Sequence, residues 1–337
     1  MADAIEFFYE QGWTDGLPVV PPTAEKVRAM VERCGRPATD LIAELPPKGG
    51  KATVEKIATN AVMAGCLPEY MLVVLIALEA MMENSFNLRG VLCSTHVSTP
   101  LLLINGPIAK KLQINCAHNV FGPGWRANAT IGRAVQLTLV NIGGAVPGVL
   151  DKATFGHPGK YTYCIAENEG ANPWEPLHVE RGFQPEDSTV TVYAAEAPHN
   201  INNHGSDNAR DLLTVIADSM ATLGGNHMYL GGECFVVLSP EHAATIAALG
   251  WRKKDVRSFL YEHARKPLRL LRLGGMYGAD TQRNLWPRWV DHGDPDALIP
   301  PTRRPEDITI LVAGGAGKHS VFVPGWGSRS VTRKINM

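Results

Sequence analysis

The amino-acid sequence predicts an α/β fold, with an α+β fold as the alternative. Apolar segments of strand length alternate with longer segments of helical periodicity. One order of elements also occurs twice, since an apolar strand, a polar turn and a helix opened by proline are found in both Leu101–Leu112 and Phe235–Ile246. We therefore expect two homologous halves, residues 1–180 and 181–337, packed about a pseudo-twofold axis as mixed sheets with helices outside.

The first half begins with helices and continues with strands. Thr23 is expected to cap the second helix, and Gly65 to end the third. The fourth helix is apolar on almost all sides, which indicates that it is buried. The predicted helices are Ala4–Gln11, Ala24–Arg33, Thr53–Ala64 and Glu69–Met82. The predicted strands are Leu88–Cys93, Pro100–Ile104 and Tyr161–Ala166.

The second half repeats short apolar strands between helices. The predicted strands are Ser188–Ala194, Phe235–Leu238, Ile308–Ala313 and Ser320–Val323, and the predicted helices are Ala209–Leu223 and Lys253–Lys266. Between the last two strands, the glycine-rich segment Gly314–Ser320 lacks the spacing of a P-loop and no helix follows it, so we expect a hairpin turn. Asp280–Arg304 is expected to be an irregular connection.

Charge and composition exclude several classes of protein. The net charge of −1 argues against a nucleic-acid surface. No apolar run is long enough to cross a membrane, and the N-terminus lacks the pattern of a signal peptide. The six cysteines are widely spaced, as is typical of reduced thiols. We therefore expect a cytoplasmic protein that acts on a small molecule. The apolar surfaces and the basic C-terminal tail indicate a homodimer or higher homo-oligomer.

The polar segment 115–128 is the strongest candidate for a site. A glycine-proline turn leads from it into a helix, where an anion is favoured at the N-terminus and where Asn128 or Thr130 could be the capping residue. If the halves are repeats, Pro107 corresponds to Pro240 and Trp125 corresponds to Trp251. The offset between the halves falls from 133 (240 − 107) to 126 (251 − 125), so this loop holds seven additional residues relative to its counterpart. Its candidate groups are Cys116 and His118 for catalysis, and Asn119, Arg126 and Asn128 for substrate binding.

A second hydroxyl-rich loop contains Cys93 and His96. The spacing suits a nucleophile with its base, half of a metal site, or simply a polar hairpin. In the other half, His227 and Cys234 lie at the matching position of the repeat. Convergence of these four residues near the axis is therefore a hypothesis, with His227 as a substrate-binding residue.

Two further groups of polar residues occur in the second half. His199 and His204 lie five residues apart in an asparagine-rich loop and, with His227, form the alternative ligand set for a divalent metal such as Zn²⁺. Without that metal, no cofactor is expected. Lys318, in the glycine-rich turn, is a candidate for substrate binding.

Several motifs distributed along the chain resemble those of a little-characterised bacterial family of this length. The motifs are DGLPVVPPT, TNAVMAGCLPEY, FGPGWRANATIGRA, NIGGAVPG and VAGGAGKHS. Genes of that family lie beside short thiol or selenocysteine proteins with a UGSC motif. The resemblance implies a small thiol protein or selenoprotein as a partner, and implies no activity or residue roles.

Three functions remain open from the sequence. The first is a cofactor-independent lyase or hydrolase for a small carboxylate-bearing molecule, with Cys93 or Cys116 as nucleophile and His96 or His118 as base. The second is a metal-dependent hydrolase or lyase. The third is a non-catalytic subunit of a thiol-dependent redox complex.

Overall fold

A computed structural model describes residues 2–274 and 289–336 of the chain. The chain forms many helices, and its strands form mixed sheets, so the predicted α/β class is confirmed. Residues 280–288 of the predicted irregular connection lie outside the described residues. In the part of the chain that is described, no helix combines the length and the hydropathy needed to cross a bilayer.

The helices are α1 (Ala2–Glu10), α2 (Ala24–Cys34), α3 (Val54–Ala64), α4 (Met71–Met81), α5 (Leu88–Cys93), α6 (Pro107–Lys111), α7 (Arg126–Asn141), α8 (Leu177–Glu180), α9 (Ala209–Met220), α10 (His227–Leu230), α11 (Pro240–Ala248), α12 (Lys253–His263) and α13 (Leu268–Gly274). The strands are β1 (Leu41–Leu45), β2 (Gly50–Thr53), β3 (Thr99–Asn105), β4 (Cys164–Ala166), β5 (Thr189–Ala195), β6 (His199–Asn202), β7 (Cys234–Leu238), β8 (Lys266–Pro267), β9 (Leu298–Ile299), β10 (Ile308–Val312), β11 (His319–Val323) and β12 (Val331–Lys334).

The first helices begin and end where their sequence predicts. The Thr23 hydroxyl accepts a hydrogen bond from the backbone N–H of Lys26 and so caps α2. Gly65 ends α3 with φ of 92°, a left-handed conformation that glycine adopts without steric cost. Helix α4 is buried on most sides, as its apolar sequence predicts.

The chain divides into two compact units, which are not the sequential halves 1–180 and 181–337. The first unit comprises Met1–Ala166, His178–Ala194 and Ser330–Met337, and the second comprises Glu167–Leu177 and Ala195–Arg329. Strand β12, at the end of the chain, therefore completes the sheet of the first unit.

In the first unit, a four-stranded sheet has the order β12-β5-β3-β4. Strand β3 is buried throughout and leads through α6 and α7 to β4, which lies parallel beside it. Parallel neighbours need such a crossover connection, usually a helical one. Strand β12 pairs antiparallel with β5 at the other edge.

In the second unit, the main sheet has the order β10-β7-β11-β6. Strand β10 lies parallel beside β7, and β11 is antiparallel to both β7 and β6. The repeat of two homologous halves about a pseudo-twofold axis stays a prediction.

Two local predictions were wrong. Leu88–Cys93 is helical, because the side chain of Asn87 accepts a hydrogen bond from the N–H of Gly90 and starts a helical turn. The glycine-rich turn after β10 is not a hairpin turn. It carries the chain past β7, because β10 and β11 pair with opposite edges of that strand.

Candidate functional site

The first unit contains a cavity of about 590 Å³. Such a volume suits a small ligand, and apolar walls with a few polar groups are typical of ligand sites. The apolar walls are formed by Leu92, Leu139, Val140, Ala145, Pro147, Phe155 and Pro158. Phe155 is 90% exposed and therefore belongs to the solvent side of the cavity.

The buried polar part of the lining comes from the start of β3 and from α7. Ser98 and Thr99 are both almost fully buried, and Gln136 donates from Nε2 to the Thr99 hydroxyl at 2.8 Å. The Ser98 hydroxyl is buried without a hydrogen-bond partner among the described residues. A hydroxyl left in this state is costly. This part of the cavity therefore offers hydrogen-bonding groups to a ligand.

The turn before β3 positions these residues. The N–H of His96 donates to the Ser94 hydroxyl at 3.0 Å, and the N–H of Ser98 donates to Nδ1 of His96 at 3.2 Å. Because Nδ1 accepts this bond, the proton of the neutral imidazole lies on Nε2. His96 therefore organises the turn from which Ser98 enters the cavity lining.

The segment between Gly148 and Tyr161 supplies the charged side chains of the lining. Lys160 and Asp151 form an ion pair of 2.6 Å, and both side chains are largely buried. Nδ1 of His157 accepts from the N–H of Gly159 at 3.1 Å, which again leaves the neutral ring's proton on Nε2. An ammonium, a carboxylate and an imidazole thus line the same cavity and can act as acids or bases.

Asp15 also lines the cavity, and its charge is balanced by Arg133. The guanidinium donates from Nε and Nη2 to the two carboxylate oxygens of Asp15, at 2.8 Å each. The same Asp15 carboxylate accepts from the N–H of Leu17 at 3.2 Å, as expected of an aspartate in a turn. Both lining carboxylates therefore have a cationic partner, so the lining carries little net charge.

The predicted loop 115–128 does not contribute to the cavity lining. Asn128, predicted to bind substrate, is buried and uses its amide for the fold. Its Oδ1 accepts from the N–H of Asn115, and its Nδ2 donates to the carbonyls of Asn115 and Cys164. These three hydrogen bonds of the Asn128 amide all go to backbone groups.

The other residues of the loop lie at or near the surface. His118 is exposed, and Cys116 is half-buried. Asn119 is exposed with φ of 58°, and its side chain donates to the carbonyl of Pro123 at 2.8 Å. This bond closes the glycine-proline turn, so the Asn119 amide has a structural partner.

Arg126, predicted to hold an anion, caps another helix instead. Its Nε and Nη2 donate to the carbonyl of Gly65, at 3.0 and 2.9 Å, at the end of α3. A cation is favoured at that end of a helix. The expected caps of α7 were also wrong. Trp125 is the N-cap residue without a side-chain bond, and Asn128 and Thr130 lie inside the helix.

Cys93 is the last residue of α5 and is half-buried. The last turn of a helix presents unpaired carbonyl groups, which do not stabilise a thiolate. The residues that line the cavity include its neighbour Leu92 but neither Cys93 nor Cys116. Nucleophilic roles for these two cysteines stay predictions.

Three other cysteines are deeply buried. Burial raises the pKa of the Cys66 thiol to about 12, against the smaller opposing effect of the Arg126 charge. The Cys66 thiol donates to the carbonyl of Thr130 at 3.2 Å. Burial likewise raises the pKa of Cys164 and of Cys234. These side chains act as small apolar groups near neutral pH.

In the second unit, His227 has a structural position. It is 1% exposed, its Nε2 lies 2.7 Å from the carbonyl oxygen of Met220, and its ring packs edge-on against Phe322. Because a carbonyl can only accept, Nε2 carries the proton. Cys234 belongs to the same unit, whereas Cys93 and His96 belong to the first. Their convergence stays a hypothesis.

The predicted metal set of His199, His204 and His227 does not form a cluster. Within residues 2–274 and 289–336, no group of three or more histidine, cysteine or acidic side chains could hold a metal. His199 is exposed on β6. His204 instead pairs with His319, with 3.2 Å between their Nε2 atoms, and Lys318 donates to the carbonyl of His204 at 3.4 Å.

The sequence prediction missed four polar residues of the cavity lining: Gln136, Asp151, His157 and Lys160. Two signals were available. Gln136 is a polar residue among apolar neighbours in a helix, and a buried polar side chain is informative. The segment from Gly148 to Tyr161 is also a turn-rich connection between a helix and a strand, where functional residues are common.

No protein family and no curated protein matches this chain in a comparison with known proteins. The resemblance to the bacterial family therefore stays a prediction. Function has to be inferred from the cavity itself.

Proposed function

We propose that the protein is a hydrolase or lyase that binds a small molecule in the cavity of its first unit. The observation that carries this proposal is the joint presence of Lys160, Asp151 and His157 on a cavity that is otherwise largely apolar. Acid and base groups next to an apolar pocket are what proton transfer to a bound substrate requires.

The lining also indicates which substrates fit. Asp15 and Asp151 are both neutralised by cations, so a carboxylate would have to compete with Asp151 for Lys160. Ser98, Thr99 and Gln136 provide hydrogen-bonding groups in the buried part. A molecule with an apolar body and a neutral polar end, such as an ester, amide or hydroxyl, therefore suits the cavity better than the carboxylate expected from the sequence.

In this proposal, Lys160 and His157 exchange protons with the substrate and Asp151 keeps the ammonium of Lys160 in position. The half-buried Cys93 and Cys116 are not required. Replacing both cysteines by serine distinguishes the two mechanisms. Turnover should remain intact if Lys160 and His157 carry the reaction, and should be abolished if a thiol does.

The test uses a panel of small neutral esters, amides and alcohols with their matched carboxylates. Binding is followed by ligand-observed NMR, and turnover by product analysis. Lys160→Met should lower turnover by about 100-fold or more, as expected for loss of an acid–base group. Lys152→Met is the matched control, because Lys152 is exposed and outside the lining; it should stay within about twofold of the wild type.

Two results would overturn the proposal. One is that no compound of either kind binds or reacts. The other is that the two lysine variants behave alike while the wild type turns over a substrate. If Lys160→Met fails to fold, Gln136→Leu tests the same cavity from α7, and a substrate bound there should lose affinity.

Assembly and location are also part of the proposal. We expect a cytoplasmic homodimer or higher homo-oligomer with a small thiol protein as a partner. Exposed aromatic side chains in the first unit support self-association, since Phe7 is 47% and Trp13 is 46% exposed. Analytical ultracentrifugation tests the oligomer, and co-purification with and without a reductant tests the thiol partner.

A further inference from the structure

The second unit contains a pair of histidines at the spacing of metal ligands. The Nε2 atoms of His204 and His319 are 3.2 Å apart, and the two rings meet at 77°. Two imidazole nitrogens on one tetrahedral Zn²⁺, each at about 2.0–2.1 Å, are separated by about 3.3 Å. Both side chains are exposed, so an ion can reach them from solvent.

Buried side chains hold the two segments that carry the pair. Nε2 of His242 lies 3.0 Å from the carbonyl oxygen of Asn203, next to His204. Nδ1 of His242 lies 2.7 Å from the hydroxyl of Ser320, next to His319. His242 and Ser320 are each no more than 2% exposed. One buried ring therefore connects the neighbours of both exposed histidines.

Backbone pairing fixes the same two segments. His319 is the cross-strand partner of Asn202 in the β11–β6 pair. The N–H of Asn203 donates to the carbonyl of Lys318 at 3.2 Å. The separation of the two imidazoles is thus set by a strand pair and a buried bridge. Such outer contacts are what keep metal ligands in place.

We propose that His204 and His319 bind a divalent transition metal ion of borderline softness, such as Zn²⁺, with water in the remaining positions. Imidazole is a preferred ligand of such ions. No third ligating side chain joins the pair in the described residues, so the ion would keep exchangeable positions. The site lies in the second unit and does not depend on the cavity proposal.

Lys318 allows a cation site to be distinguished from an anion site. Its ammonium donates to the carbonyl of His204, so its charge lies close to the pair and opposes a bound cation. An anion held by Lys318, the imidazoles and the glycine-rich turn would gain from the same charge. Removal of that charge therefore has opposite effects in the two cases.

The experiment is a calorimetric titration of ZnCl₂ into the full-length protein after removal of metal with EDTA and dialysis. The wild type should bind one ion at this site. His204→Gln and His319→Gln should each weaken binding by more than about tenfold, and Ser320→Ala, which loosens the bridge to His242, by about tenfold. His199→Gln is the matched control, because His199 is exposed on the adjacent strand; it should leave the affinity unchanged.

Lys318→Gln should tighten Zn²⁺ binding by about threefold at low salt, and the gain should shrink at high salt because the charge is screened. The proposal is overturned if His204→Gln and His319→Gln bind Zn²⁺ like His199→Gln. It is also overturned if Lys318→Gln weakens Zn²⁺ binding, or if inorganic phosphate binds at this site in a manner that requires Lys318 while ZnCl₂ does not bind.

Discussion

Asn128 and Asn115 are joined by two hydrogen bonds that link the first turn of α7 to the loop before it. Asn128 Oδ1 accepts from the Asn115 N–H at 2.7 Å, and Asn128 Nδ2 donates to the Asn115 carbonyl at 3.0 Å. The side chain of Asn115 in turn bonds the carbonyl of His118 and the N–H of Ala117. A segment rich in reactive side chains is therefore held by amides that serve the backbone.

Replacing Asn128 with leucine should destabilise the protein by about 2–3 kcal/mol, because it leaves buried backbone donors and acceptors without partners. The free energy of unfolding from urea titration measures this. His118→Ala, in the same loop but exposed, should change it by less than about 0.5 kcal/mol. Equal effects of the two substitutions would contradict a structural role for Asn128.

Thiol labelling should separate the six cysteines by burial. Iodoacetamide at about pH 7.5 should modify Cys93 and Cys116, which are half-buried, before the buried Cys34, Cys66, Cys164 and Cys234. The raised pKa of Cys66, about 12, keeps its thiol protonated at this pH. Mass spectrometry of peptides, with urea-unfolded protein as the control that labels all six, checks the order. Rapid native labelling of Cys66 would refute it.

Gly132→Ala should destabilise the protein even though alanine is the better helix former. A Cβ at Gly132 would lie 2.6 Å from the backbone nitrogen of Tyr163, within a close approach of α7 to the segment before β4. We expect a loss of about 1–3 kcal/mol from this crowding. Gly205→Ala is the control, since nothing lies within 4 Å of its Cβ position. Chemical denaturation measures the free energy of unfolding of both variants, and a loss in Gly132→Ala no larger than in Gly205→Ala would contradict the prediction.

The protein should become less stable as the pH is lowered through the range where His242 takes up a proton. Burial lowers the pKa of His242, and the charges of Lys318 and His319 lower it further, against the opposing effect of Glu241 and of the bond to Asn203. The unfolded chain takes up this proton at about pH 6.5, before the folded protein does. Below that pH, the unfolded state binds more protons than the folded state does, so the free energy of unfolding decreases as the pH falls.

The measurement is the urea midpoint between about pH 7.5 and pH 5.5, with EDTA present to exclude metal. His242→Gln should reduce the pH dependence, because glutamine takes up no proton. His263→Gln, at an exposed position of α12, should preserve it. An unchanged slope in His242→Gln would show that other groups cause the dependence.

The sequence by itself determined the elements whose signals are local. The α/β class, the buried helix α4, the threonine cap of α2 and strands such as β3 follow from periodicity and from capping residues. Those signals depend on neighbours within a few residues, so a single amino-acid sequence is enough to recognise them. Leu88–Cys93 shows the limit of this approach, because one asparagine cap was enough to make a short apolar run helical.

Only the tertiary structure decided which polar residues come together. Asn128 and Arg126 looked available for a ligand, yet their partners are backbone groups of Asn115, Cys164 and Gly65, the last 61 residues away in the chain. Gln136 and Lys160 meet at one cavity, and His204 meets His319 across 115 residues. A side chain's chemistry depends on what lies within a few ångströms of it, and for these residues the long-range packing sets those neighbours.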